Sequence, residues 1–235
     1  MNIAIIGYGK MGREIERTAI DRGHKIVAKV GREGIAAHSL TGVDVAIEFT
    51  EPTAVMDNIR TLLGMGLPTV CVTTGWFDRV QELEDAAHQA PLVYASNFSL
   101  GVNILFQITQ ELAALMAPYS DYKVGIEEVH HTAKKDAPSG TAITLAQGIL
   151  PAYPALHGWA LSQNAGPDQL PINAVRQDPV PGTHTVSYSS SVDELSLHHI
   201  AHPRAGFALG AVIAAEKAVH IPPGIHPFAD LLFAR

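Results

Sequence analysis

The chain opens MNIAIIGYGKMG, and no later stretch constrains its fold as strongly. A short apolar run, Asn2–Gly7, reads as a strand, and Gly7-Tyr8-Gly9-Lys10-Met11-Gly12 follows it as G-x-G-x-x-G at the start of a helical pattern. Each glycine has a physical task. Gly7 permits the tight turn, Gly9 lets the backbone come close to a pyrophosphate, and Gly12 lets helix and sheet close up. The helix start adds N–H groups and partial positive charge, which favour an anion. Strand, turn and helix in this order predict the first unit of a parallel sheet with a dinucleotide on its carboxyl edge.

The periodicity behind it agrees. Lys10–Arg22 carries Met11, Ile15, Ala19 and Ile20 near one helical face, and Gly23 stops it. Lys25–Val30, Val43–Phe49, Leu67–Val72 and Leu92–Ala95 read as strands, with helices over Ala54–Met65 and a segment ending at Ala86–His88. These strands are rich in valine and isoleucine with little polar alternation, as strands covered on both faces should be. After Asn97 the period changes. Val102–Met116 and Ser139–Ile149 read as helices, Lys123–Val129, Ile172–Gln177, Thr183–Ser189 and Glu194–Ile200 as strands, and residues 151–170 as loop. That pattern predicts a second, mostly antiparallel sheet with helices on one side. Phe207–Val219 is helical and apolar and is placed to return to the first domain.

Composition narrows the class of function. The 235 residues carry 23 acidic and 16 basic side chains, a net charge of -7, which argues against broad nucleic-acid binding. No apolar run reaches the length of a membrane helix, and the N-terminus lacks the basic segment of an export signal, so a cytoplasmic protein is expected. Cys71 is alone, which excludes an internal disulfide.

The end of the second strand bears on the cofactor. An acidic residue there would hold the ribose hydroxyls of NADH, but the chain reads KVGREG. Lys29 and Arg32, with Lys10 and Arg13, form a basic cluster suited to a 2'-phosphate, so NADPH is favoured and NADH left open. Phe49 and Thr50 end the third strand, and Thr73, Thr74 and Gly75 the fourth, where small hydroxyl residues lie under a nicotinamide or ribose, or simply form turns.

The densest chemistry lies in EEVHHTAKKDAPSGTA, residues 127–142. His130, His131, Lys134 and Lys135 follow a strand, and Pro138 and Ser139 introduce a helix that Ser139 or Asp136 can cap. The N–H groups of Gly140 and Thr141 point out of its first turn, where a carboxylate binds for the reason a phosphate does. A histidine and a lysine beside it can supply a proton. A dinucleotide domain, an anion clamp and proton donors together point to reduction of a small anionic substrate.

These residues resemble the 4-hydroxy-tetrahydrodipicolinate (dihydrodipicolinate) reductase family over essentially the whole chain. The likeness rests on EVHHTAKKDAPSGTA, GYGKMG, EFTEP at 48–52, VTTG at 72–75, ASNFSLGVN at 95–103 and HPRAGFALGAVIAA at 202–215. The resemblance implies reduction of a cyclic dicarboxylate by NADPH or NADH in the diaminopimelate route to lysine, with His130 and Lys134 catalytic. It implies substrate binding by His131, Ser139, Gly140 and Thr141. Gly7 to Gly12, Val72, Thr73, Thr74, Ala95, Ser96, Asn97 and Phe98 would line the cofactor, with Arg204 near it. It further implies a Rossmann-like α/β nucleotide domain at 1–98, completed by 206–235, with an inserted α+β substrate-binding and tetramerisation domain at 99–205. A homotetramer would be held through the sheets of the inserted domains. Separately, the nucleotide and substrate units must bring nicotinamide and ring together yet admit both molecules, so closure is expected, with hinges near Asn97–Gly101 and Arg204–Phe207. The chain departs from many members at Val72, where they have glycine, at Glu51, where some have a basic residue, and between Val30 and Val43, where it is short.

Other readings stay open on the residues alone. A metal hydrolase could draw on His130, His131, His198, His199 and His202, but adjacent histidines on a strand point to opposite faces and the nearby carboxylates show no ligand spacing, so no metal is expected. A nucleotide-sensing regulator would not need both His130 and Lys134. An amino-acid dehydrogenase would not need the Asp-Ala-Pro-Ser-Gly-Thr clamp.

Overall fold

The computed structural model describes residues 1–35, 39–202 and 205–233. The chain forms two compact units, Met1–Leu100 with 204–235 and Gly101–Pro203. In chain order the elements begin with β1 (Asn2–Ile6), α1 (Lys10–Asp21), β2 (Lys25–Val30), β3 (Val45–Glu48), α2 (Val55–Gly64) and β4 (Thr69–Cys71). A 3-10 turn at Phe77–Leu83 runs into α3 (Glu84–Ala87), then β5 (Pro91–Tyr94). The second unit holds all but the first residue of α4 (Leu100–Met116), then β6 (Lys123–His130), α5 (Gly140–Ile149), β7 (Trp159–Leu161), β8 (Leu170–Arg176), β9 (Thr183–Ser189) and β10 (Glu194–Ile200). α6 (Ala205–Ala218), β11 (Gly224–Pro227) and α7 (Phe228–Phe233) return to the first unit.

Six parallel strands in the order β11-β5-β4-β3-β1-β2 form the first sheet. Strand alternation sorts its two cores. Ile3, Ile5, Val45 and Ile47 face α1 and the alanine side of α6, where Ala211, Ala214 and Ala215 pack. Ala4, Ile6 and Ala46 face the other way, onto Leu62 of α2. Because both faces are covered, β3 and β4 are buried at every residue, which is why their sequences lack polar alternation. β11 and α7 were not expected from sequence; β11 pairs with β5 at the sheet edge and ends in Pro227, a residue tolerated in an edge strand.

The second sheet runs β10-β9-β6-β8-β7. The β10/β9 and β9/β6 pairs are antiparallel, and the β6/β8 and β8/β7 pairs are parallel. The sheet is therefore mixed, not mostly antiparallel. The reason is the crossover after β6: a segment carrying α5 is long enough to return the chain in the same direction, which a tight turn cannot do. Part of that segment, expected to be loop, is the strand β7. One face of the sheet packs on the helices through Ile126, Ile172, Val186 and Tyr188 against Leu105, Ala113, Leu145 and Ile149.

Candidate active site

The glycine turn is closed toward the sheet and open outward. Gly7 has φ +95°, and a Cβ there would lie 1.9 Å from the Phe49 carbonyl oxygen. A Cβ at Gly12 would meet the Gly7 carbonyl oxygen at 2.6 Å, so its absence lets α1 sit on the turn. Gly9 has nothing within 4 Å, and no side chain caps α1. A cradle of this shape fits a pyrophosphate at the first turn of α1, where N–H groups and the helix dipole favour negative charge.

The carboxyl ends of the strands continue the cradle. The Gly7 and Tyr8 N–H groups donate to the Val30 carbonyl, and Thr50 N–H donates to Thr73 Oγ1 at 2.8 Å. Thr74 follows on β4, and Ala95, Ser96 and Asn97 follow β5, with Asn97 Oδ1 accepting Ser99 N–H at 2.8 Å. Val72, Met11 and Phe98 turn their side chains into the core, Phe98 stacking on Phe228 at 5.1 Å between ring centres. Beneath the row lies Glu48, fully buried, to which sequence reading gave no role. Its carboxylate accepts the Thr50 hydroxyl, the Asn58 amide at 3.3 Å and the Cys71 thiol at 3.4 Å. Burial and the Glu48 charge push the Cys71 thiol well up, so it remains a donor. An acid inside the apolar run VAIEF was the available signal.

The basic cluster is less uniform than its sequence suggests. Lys29 Nζ lies 2.5 Å from Glu16 and 4.9 Å from the Tyr8 ring centre, and the Tyr8 hydroxyl donates to the same carboxylate. Lys10, Arg13 and Arg32 are exposed, Arg13 lying 5.9 Å over the Tyr8 ring. Glu33 turns back to accept the Gly31 N–H at 2.6 Å. Arg204 lies outside the described residues.

In the second unit, strand alternation puts Glu128 and His130 on the helix-covered face with Ile126. Register places His184 of β9 opposite Glu128, and Arg176 of β8 beside His130. The buried Glu128 carboxylate takes Ser139 N–H at 3.1 Å from each oxygen and Arg176 Nη2 at 3.1 Å. Its Oε2 lies 3.3 Å from His130 Nδ1 and 3.9 Å from His184 Nε2. The His130 contact is close but outside full hydrogen-bond alignment, and it is an ion pair only when the imidazole is protonated. Burial alone would raise the Glu128 pKa; the groups of His130, Ser139 and Arg176 outweigh it and hold the pKa at about 2. Burial, then the neighbouring His130, lowers His184 to about 4, so it is neutral. The two imidazoles meet edge to face, 5.1 Å apart.

Ser139 caps α5, its Oγ accepting Ala142 N–H at 3.2 Å and lying 3.2 Å from His184 Nε2. Gly140 and Thr141 open that helix. The turn closed by Lys134 N–H on the His131 carbonyl carries the lysine, whose Nζ sits 2.8 Å from both oxygens of Asp136. His131 and Lys135 are exposed. Arg176 also donates to the Asp136 carbonyl at 2.6 Å, fastening this loop to β8. Glu128, His130 and His184 offer ligand atoms all within 4.8 Å of one another, a closeness that sequence spacing hid because His184 comes from another strand. The guanidinium on the same carboxylate makes the cluster a buried anion surrounded by donors. Of the other histidines, His198 contacts Thr185 Oγ1 at 2.8 Å on the neighbouring strands.

This cluster makes the unit acid-sensitive. His184 has a folded pKa near 4 against an ordinary 6.5, so the stability from its neutral form is full above pH 6.5 and drains as pH falls toward 4. Glu128 adds a second loss between pH 4.5 and about 2. At 1.36 kcal/mol per pKa unit each loss is bounded at about 3 kcal/mol, and the coupled pair gives less than the sum. Urea unfolding followed from pH 8 to 4 should show a fall that His184→Asn flattens. Parallel curves for both proteins would assign the acid sensitivity elsewhere.

Comparison with known proteins assigns both units to one family. Residues 1–98 match the family described as "Dihydrodipicolinate reductase, N-terminus", and residues 101–232 match "Dihydrodipicolinate reductase, C-terminus". The 4-hydroxy-tetrahydrodipicolinate reductase of Christiangramia forsetii is 49% identical over 99% of this chain and 98% of its own. That of Staphylococcus epidermidis is 31% identical over 98% of this chain and 100% of its own. Among solved structures, a dipicolinate-bound dihydrodipicolinate reductase from Paenisporosarcina sp. TG-14 superposes with a TM-score of 0.73 at 24% identity, covering 97% of each chain, which bears on the fold alone.

Proposed function

We propose, because this chain belongs to the dihydrodipicolinate reductase family, that it reduces 4-hydroxy-2,3,4,5-tetrahydrodipicolinate to 2,3,4,5-tetrahydrodipicolinate with loss of water, in the diaminopimelate route to lysine. The chain is an oxidoreductase that uses a pyridine nucleotide. The observation that carries the reading is the corner between β6 and α5, where His130, Lys134 and the first turn of α5 stand within one short segment.

The glycine cradle and the ends of β1, β3, β4 and β5 would hold the nucleotide, which when bound supplies a hydride to the substrate ring. The carbon next to the reduced one must then gain a proton. His130 gives it from Nε2, and the Lys134 ammonium, already oriented by Asp136, assists. A substrate carboxylate binds at Gly140 and Thr141, where the first turn of α5 presents N–H donors, with His131 beside them. Loss of water needs no further redox partner, so one hydride and one proton balance the reduction.

NADPH is the favoured cofactor. Arg32, Lys10 and Arg13 are exposed cations on the glycine-turn side, and Glu33 is engaged with the Gly31 amide. Lys29, paired with Glu16, adds less than its position in the sequence suggests. We expect kcat/KM for NADPH to exceed that for NADH about tenfold, equal to 1.4 kcal/mol, and the ratio to shrink as salt screens the exposed charges. Steady-state kinetics with each cofactor at low and moderate ionic strength tests both points. No turnover of the cyclic dicarboxylate would overturn the reaction, and an NADH preference at low salt would overturn the cofactor choice.

Self-association as a homotetramer through the second unit fits its surface. β10 is an edge strand, and Leu195 and Ile200 on it are 45% and 55% exposed. Among the described residues no helix is long and apolar enough to cross a membrane.

A further inference from the structure

Glu128 belongs to none of the groups that bind cofactor or substrate, yet it is a fully buried anion at the centre of the second unit's polar cluster. Burying an ionised carboxylate is costly unless donors surround it, so the cluster was built around that charge. Its oxygens are not equivalent. Oε1 takes Arg176 Nη2 and one approach of Ser139 N–H, while Oε2 takes the other and is the oxygen 3.3 Å from His130 Nδ1. On the opposite edge of the ring, Nε2 lies beside Gly182, where a Cβ would come within 3.1 Å, so that residue's missing side chain leaves room for the nitrogen.

We propose that Glu128 is the positioning residue for His130: its fixed carboxylate keeps a proton on Nδ1, turns Nε2 outward, and stabilises the imidazolium from which Nε2 donates. This rests on the reading of His130 as the proton donor. The bookkeeping of protons supports it. When the imidazolium gives up the Nε2 proton, the neutral ring that remains carries its proton on Nδ1, against the anion, and no tautomer shift is needed before water returns the lost proton.

The charges facing His130 are few and can be named by element. Glu128 faces it from its own strand, β6, His184 from β9 and Arg176 from β8, while Lys134 and Asp136 lie in the loop that follows. His184 is neutral, and Asp136 is committed to Lys134. With Glu128 removed, the nearest fixed charges are cations. Glu128→Gln should therefore disfavour the imidazolium form of His130, because the opposite charge beside Nδ1 is removed.

Nitrogen-15 NMR of histidine-labelled protein reads this directly, the His130 signals being assigned by their loss in His130→Asn. In the unmodified protein the neutral ring should be the Nδ1–H tautomer. In Glu128→Gln the Nδ1–H preference should be lost, and the alkaline limb of the kcat profile should move to lower pH while KM stays nearly constant. Glu128→Asp should restore part of both. An Nε2–H tautomer, or an alkaline limb of the kcat profile unmoved in Glu128→Gln, overturns the proposal. If Glu128→Gln fails to fold, the tautomer of the unmodified protein decides alone. An Nδ1–H tautomer in a protein that does not turn over the dicarboxylate would uphold the positioning and overturn the reductase reading.

Discussion

Alanine in place of His130 is expected to lower kcat about a hundredfold or more, and Lys134→Ala to do the same, the usual cost of removing a positioned acid. Both changes leave the glycine cradle intact, because His130 and Lys134 belong to the second unit and the cradle to the first. Cofactor affinity should therefore be unchanged in either variant. Lys134 is not a wandering surface charge. Its Nζ is fixed by both oxygens of Asp136, its side chain is 20% exposed, and its turn closes on the His131 carbonyl. The losses should also change which step limits turnover. With the proton donor gone, protonation becomes slow relative to hydride transfer, so the solvent isotope effect on kcat should rise while the effect of deuterated nucleotide falls. Wild-type kcat in both variants would remove the catalytic assignment. A reduced kcat with weakened nucleotide binding would point to a fold defect.

What the sequence revealed, and what it hid, divides along local and non-local lines. β2, β9 and β10 have the ends their residue patterns predict, because the turn residues that bound them are local signals. Ser139 was legible as a cap for the same reason, and its Oγ does accept Ala142 N–H. β7 and β11 escaped. They have three and four residues, lie at sheet edges, and owe their conformation to pairing with β8 and β5 more than to their own composition. The site was hidden where it depends on register. Glu128 meets His184 and His130 meets Arg176 only because β9 and β8 align with β6, and alignment between distant strands is not written in any short stretch. The same holds for Lys29, whose pairing with Glu16 joins β2 to α1. The mixed second sheet is a further case, since strand direction was decided by the length of a crossover and not by the strands themselves.

Gly7→Ala is expected to reduce both stability and nucleotide binding, whereas Gly9→Ala should reduce binding alone. The difference follows from the backbone. At Gly7 the left-handed conformation costs an alanine about 1–2 kcal/mol before any contact is counted. The added Cβ would also stand 1.9 Å from the Phe49 carbonyl oxygen, backbone that cannot yield without parting the ends of β1 and β3. A loss of about 2 kcal/mol or more corresponds to a fall in Tm of about 4 °C or more for a chain of this size. At Gly9 the φ of -98° lies outside the left-handed region and nothing lies within 4 Å, so alanine should leave Tm within about a degree. Its methyl group would instead occupy the space through which a pyrophosphate reaches the first turn of α1, weakening nucleotide binding about tenfold or more, or 1.4 kcal/mol. Thermal melting and nucleotide titration by fluorescence, run on both variants, separate the two roles. If Gly9→Ala bound nucleotide as tightly as the unmodified protein, the open side of the cradle would not be where the phosphates lie. Unchanged melting of Gly7→Ala would mean that the turn relaxes around the new side chain, and the contact with Phe49 would no longer explain why glycine stands there.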